Sequence, residues 1–293
     1  KGGTVKLSSI GSYDSFNAFI AKGVSASGLG MIYETLTTGS SDEAFTEYGL
    51  IADQIEYPED RSWVIYHLNP KARFHDGEKI NVDDVIFTFN TLIEKGAPFY
   101  KSYYGDIIEV KDLGDRRVKF NFREGTTNRE LVLITGQLPV LPKHYWEDKD
   151  FSKSTLDTPL GSGPYRIKDF KAGKYITYER VKDYWAENLP VNKGSNNFDI
   201  VRYDYYRDAT VALEAYKAGK YDFREENNSK MWASMYSGKT FEENLTIKEE
   251  IPHELPRGMQ AFAFNLRRSL FKDRRVREAI GYAFDFEWSN KNL

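Results

Sequence analysis

The chain has 293 residues, room for two or three globular units. Its 41 basic and 44 acidic side chains leave a net charge of −3, which gives no footing for nucleic acid or an anionic membrane as partner. With no cysteine, disulfides and thiolate metal sites are excluded, and no apolar run approaches the ~20 residues of a membrane helix.

In chain order, GGTVKLSSI predicts a first strand, with Val5 and Leu7 alternating against polar neighbours. A polar loop from Gly11 to Gly28 follows, then a short helix in LGMIYETL and a strand in RSWVIYHLN. In RFHDGEKINVDDVIFTFN (Arg73–Asn90), His75-Asp76-Gly77 is a turn and Asn81 a helix N-cap. Asp83 and Asp84 sit in the first turn, where carboxylates favour the helix dipole. Val82, Val85, Ile86, Phe89, Leu92 and Ile93 form one apolar stripe, ended by Gly96 and Pro98. Two hairpins are predicted, turning at Gly114-Asp115 and at Ala172-Gly173. FDIVRYDYY is a further strand, and Asp208 caps a helix closed by Gly219. AFAFNL (261–266) is a strand, and Asp273 caps a last helix striped by Val276, Ala279, Ile280, Ala283 and Phe284. Nothing after that stripe can cover it, so the chain is expected to stop partway through a domain; its opening on Lys1-Gly2-Gly3 fits a processed or trimmed start.

The histidine and acids of Arg73–Asn90 raise a metal or acid–base reading, which fails on spacing. None of His67, His75, His144 and His253 pairs at the separation that sets two imidazoles on one helix face. SGKT (237–240) ends like a phosphate loop but has Ala233 where glycine is required, and GLG (28–30) lacks the third glycine of a dinucleotide fingerprint. GSGPY (161–165) is not a nucleophile elbow. DKDFSKS (148–154) has no closing bidentate glutamate, Asp157 and Pro159 standing there instead. A hydrolase built on some carboxylate pair stays as a rival reading, since 44 acids offer many pairs.

Longer patterns carry more. WVIYHL followed by RFHDGEKINVDDVIFTF resembles the signature of the family 5 extracellular solute-binding proteins, the peptide- and nickel-binding receptors of ABC importers. Here Asn69-Pro70 stands where that family usually has a basic residue, and Lys79-Ile80-Asn81 replaces its Pro-apolar-Thr. GSGPY, ERVKDYW, DATVALEAYKAGKYDF and FNLRRSLFKDRRVREAIGYAFD resemble later segments in the family's order, and YDYYRDATVALEAYKAGKYDFREEN is most similar to the oligopeptide and microcin C receptor subgroup.

The resemblance implies an α/β chain with the periplasmic binding protein-like type II fold. Residues 1–45 and 160–255 would form lobe I, 46–159 a β-rich insertion subdomain, and 256–293 only the start of lobe II. It implies a non-catalytic periplasmic or extracellular receptor, monomeric, without cofactor or metal. Its partners would be a peptide ligand and an inner-membrane ABC permease. A nickel chelate or an oligosaccharide is the alternative ligand. The site residues it implies are Lys22, Gly23, Val24 and Ser25 as a backbone-pairing segment, a plain surface loop being their other reading, with Lys22 where a peptide receptor often has an acid. Tyr100 and Tyr103 would flank the ligand, with core packing as their other reading. Arg224, Glu225 and Asn227 would meet a terminus or side chain, a solvated loop being the alternative; Met259, Gln260 and Phe262 lie where the chain crosses between lobes.

Overall fold

The alternation of Val5 and Leu7 does form a strand, β1 (Thr4–Ile10), and its partner is the distant FDIVRYDYY strand. The computed structural model describes residues 1–40, 42–254, 258, 259 and 261–292, and the chain divides into two units, Lys1–Arg224 and Glu225–Leu293.

After β1 and its loop, only Leu29–Ile32 of the expected helix forms, as one 3-10 turn. Tyr33 is already extended (φ −116°, ψ 141°), because threonines 35, 37 and 38 favour strand. β2 (Thr37–Ser40) and β3 (Glu43–Gly49) make a small antiparallel hairpin. β4 (Ala52–Glu56) and β5 (Trp63–Leu68) lead to the helix α1 (Val82–Lys95), then α2 (Pro98–Tyr103). β6 (Ile107–Asp112) and β7 (Arg117–Phe122) are the first expected hairpin. They join β4 and β5 in an antiparallel sheet of order β4-β5-β7-β6. α3 (Leu131–Gly136) and α4 (Lys143–Trp146) follow. β8 (Tyr165–Lys171) and β9 (Tyr175–Arg180) are the second hairpin, β10 (Ile200–Tyr206) is FDIVRYDYY, and α5 (Ala209–Lys217) closes the unit. The second four-stranded sheet runs β1-β10-β9-β8, with β1 and β10 parallel from Thr4↔Ile200 to Ile10↔Tyr206.

One continuous core spans both sheets, since Val64, Tyr66, Phe120 and Leu92 belong to the same buried cluster as Ile32, Tyr165, Ile176 and Tyr178. α1 begins as expected. Asn81 accepts from the Asp84 amide while the Asp84 carboxylate accepts from the Asn81 amide, a reciprocal cap. Asp84 is more than a dipole partner. It is buried, and its other oxygen accepts from the Lys143 amide at 3.0 Å, tying α1 to α4.

The second unit has α6 (Ser229–Ser234), α7 (Lys239–Glu242), α8 (Ser269–Lys272), α9 (Arg274–Tyr282) and α10 (Phe286–Asn292). Asp273 caps α9 as expected, and the apolar stripe ending in Ile280 and Phe284 is largely exposed. Residues 261–266 do not form the expected strand. A strand needs a neighbour for its backbone groups, and among the described residues none pairs with this segment. Positions 255–257, where the lobe crossing was expected, lie outside the described residues, as does Gln260. No helix among the described residues is long and apolar enough to cross a membrane.

Candidate functional site

His75-Asp76-Gly77 is the tip of a tight hairpin: the Gly77 amide donates to the Phe74 carbonyl, and Asp76 accepts from the Glu78 amide. His75 turns inward. Its amide donates to the Gly161 carbonyl and its ring Nε2 to the Gly163 carbonyl, each at 2.8 Å. A carbonyl can only accept, so Nε2 carries the proton. The FHDG and GSGPY stretches are therefore one interlock. On its far side the Gly163 amide donates to the Ile32 carbonyl at 2.7 Å, and the Glu34 amide to Ser162 Oγ at 3.2 Å. Half-buried Glu34 also accepts from the Tyr184 hydroxyl, and burial pushes its carboxyl up to about 7 despite that bond.

Burial holds the His75 ring below the usual imidazole range, the Gly163 carbonyl opposing this. With its folded value depressed, its stabilising effect is present above ~6.5 and is lost as pH falls below it. Among the described residues no group of three or more His, Asp or Glu could hold a metal. We expect His75→Ala to leave metal content unchanged and to cost about 1–3 kcal/mol, because two buried carbonyls lose or loosen their donor. Metal analysis and urea unfolding of the variant check both; loss of a stoichiometric metal would contradict the turn assignment.

In an open α/β sheet, ligands lie beyond the carboxyl ends of the strands, where strand order reverses. Here those ends are Ile10 of β1 and Tyr206 of β10, in register. Phe223 lies beside β1, bridged to Leu7, with the Asp222 amide donating to the Lys6 carbonyl. Arg224, next in the chain, donates from Nη1 to the Tyr221 hydroxyl at 3.1 Å. The loop after β1 is anchored to the sheet by its tyrosines. The Ser27 amide donates to the Tyr205 hydroxyl (2.7 Å) and the Tyr178 hydroxyl to the Ser27 carbonyl (2.6 Å). Tyr13, pushed up to about 12 by burial and then by Tyr205, donates to the Tyr175 carbonyl.

Within that loop, Lys22–Ser25 is exposed. The Val24 carbonyl accepts from the amides of Asp14 and Ser15, the Ala26 amide donates to the Ser15 carbonyl, and Ser25 bridges Ser15 in parallel. Successive residues of an extended segment point their backbone groups to opposite sides. The Ser25 N–H and C=O consequently face outward and have no partner among the described residues. Gly23 is held by its conformation: φ is +79°, and a Cβ there would fall 2.7 Å from Asp14 Oδ1, the atom that accepts from the Val24 amide. Enlarging Gly23 thus disturbs the edge itself.

Tyr100 and Tyr103 come together in a cavity of about 380 Å³. Tyr103 donates to Gln137 Oε1 at 2.9 Å, and its ring stacks on Phe99 with centroids 4.8 Å apart. Sequence reasoning missed the rest of the lining, notably Phe19, Tyr104 and Gln137, since nothing local links Phe19 to Gln137 across the chain. Glu225 and Asn227, and Met259 and Phe262, are exposed residues of the second unit.

The family described as "bacterial extracellular solute-binding proteins, family 5 Middle" matches residues 47–293. An uncharacterised protein of Escherichia coli K12, YejA, is 45% identical over the whole of this chain, which covers 48% of it. Among solved structures, the oligopeptide-binding protein AppA of Bacillus subtilis, in complex with a nonapeptide, matches at 25% identity and TM-score 0.62 over 76% of this chain and 44% of its own. NikZ of Campylobacter jejuni, in complex with Ni(L-His), matches at 19% identity and TM-score 0.70 over all of this chain and 55% of its own. The chain spans about half the length of the relatives it matches.

Proposed function

Because the chain belongs to the family 5 bacterial extracellular solute-binding proteins, we propose that it is the part of a peptide receptor that pairs with the ligand's backbone. The observation that carries this reading is the open edge at Ser25, in a loop that Ser27 ties to Ser9 and Tyr205 near the carboxyl ends of β1 and β10. Backbone pairing suits a receptor for varied sequences, because every peptide offers the same N–H and C=O groups. The nonapeptide bound to similar AppA supports the same ligand class. The receptor works by binding rather than turnover, in the periplasm or outside the cell, as a monomer delivering peptides to an ABC permease. Lys22, Val24, Tyr100, Tyr103 and Arg224 face the ligand from the first unit; Glu225, Asn227, Met259, Gln260 and Phe262 belong to its further contacts. Residues 1–45 and 160–255 form lobe I, 46–159 the insertion and 256–293 the start of lobe II. In support, β1 and β8–β10 fall in the first set and β4–β7 in the second.

Calorimetric titration of the protein at its natural length tests this, with a defined pool of three- to nine-residue peptides, nickel(II)–histidine and a cello-oligosaccharide as separate probes. Saturable heat is expected with the peptides alone. Binding of nickel–histidine or the sugar with no response to peptide would contradict it.

A further inference from the structure

We propose that the aromatic cavity of the first unit seats one ligand side chain and selects for an uncharged aromatic one; this rests on the peptide reading above. At about 380 Å³ the cavity is small for a whole ligand and ample for a single ring. Its walls include Phe19, Tyr33, Phe99, Tyr100, Tyr103 and Tyr104 together with Leu29, and no charged side chain lines it. A carboxylate or ammonium entering would lose water and find no counter-charge in the lining, Glu47 behind it being engaged by Gln137 and Thr37. A flat ring, by contrast, meets rings already arranged to receive one. Phe99 and Tyr103 are stacked, while Tyr103 and Tyr104 meet edge to face at 5.3 Å. Phe99 is 60% exposed, an aromatic surface left open at the mouth.

Unpartnered hydroxyls remain for the tip of a tyrosine or tryptophan. The Tyr103 hydroxyl is spent on Gln137, whose amide donates to Glu47 at 3.0 Å. The hydroxyls of Tyr100 and Tyr104, and the buried one of Tyr33 in the same lining, have no hydrogen-bond partner among the described residues. The cavity is also tied to the proposed edge through the chain. Ala18 and Phe19 of its lining come from the loop that carries Ser25, Leu29 and Gly30 from the 3-10 turn that follows it, and Asn17, next to Ala18, offers its carbonyl to Ser25 Oγ. An extended peptide on that edge presents side chains alternately to either side.

The test is calorimetry on the natural-length protein with pentapeptides Ala-Ala-X-Ala-Ala and their frame-shifted versions, X being Tyr, Trp, Leu, Ala, Lys or Glu. In the best frame, Tyr or Trp should bind about tenfold or more tighter than Ala, and Lys and Glu more weakly than Ala. Gly30→Phe should fill the cavity, since a side chain at Gly30 has open space; Phe99→Ala should remove a wall without touching the core. Either should bring the Tyr-to-Ala ratio below about threefold, with melting temperature confirming the fold. An unchanged ratio in both variants, or Lys and Glu peptides binding as tightly as Tyr, overturns the inference while leaving the peptide reading intact. If no peptide of the set binds, both fall together.

Discussion

Gly161→Ala is expected to destabilise the first unit by about 3 kcal/mol or more, because the added carbon has nowhere to go. Its Cβ would stand 2.1 Å from the Ile32 carbonyl oxygen and 2.6 Å from Ile32 Cγ2. The backbone cannot yield on that side, since the Ile32 carbonyl is held by the Gly163 amide; on the other side His75 holds the carbonyls of Gly161 and Gly163. Gly163→Ala should behave alike, with Met31's carbonyl oxygen 2.4 Å away. Gly30→Ala is the contrast, with nothing within 4 Å and a small expected change. Urea midpoints compare the three; a Gly161→Ala midpoint equal to that of Gly30→Ala would show slack in the interlock.

Phe89→Ala should cost about 3–5 kcal/mol, the usual loss for a buried ring. Phe89 is 9% exposed, and its ring lies 5.9 Å from Tyr104 and edge-on to Phe120 at 6.2 Å. It therefore joins α1 to the β4–β7 sheet. Phe87, two residues earlier on α1, is only half-buried and should lose markedly less. Equal losses at the two positions would mean that α1 is rotated from the placement described.

The elements read correctly from sequence are those written in local chemistry. Asn81, Asp208 and Asp273 each cap a helix because a short acceptor sits beside free amides. The two hairpins announced their turns. β2 and β3 escaped notice because Thr37–Ser40 carries a glycine and Glu43–Gly49 is charged and mostly exposed, so neither alternates. AFAFNL had strand composition but no neighbour, and composition cannot supply one. The interlock of His75 with Gly163 spans 88 positions, beyond any spacing rule. At the candidate site the sequence pointed to the segment Lys22–Ser25, centred on Gly23. Within it the outward, unpaired backbone groups are those of Ser25, an arrangement that depends on how residues 14 and 15 pair with its neighbours.

Amide hydrogen exchange at Ser25, in the natural-length protein with and without a saturating peptide, addresses the backbone-pairing claim directly. Ser25's N–H has no acceptor among the described residues, so without ligand it should exchange fast. Pairing with a peptide carbonyl should slow it by tenfold or more, while the Val24 and Ala26 amides, already bonded to Asp14 and Ser15, change far less. Peptide bound at saturation with Ser25 exchanging as fast as before would contradict the account.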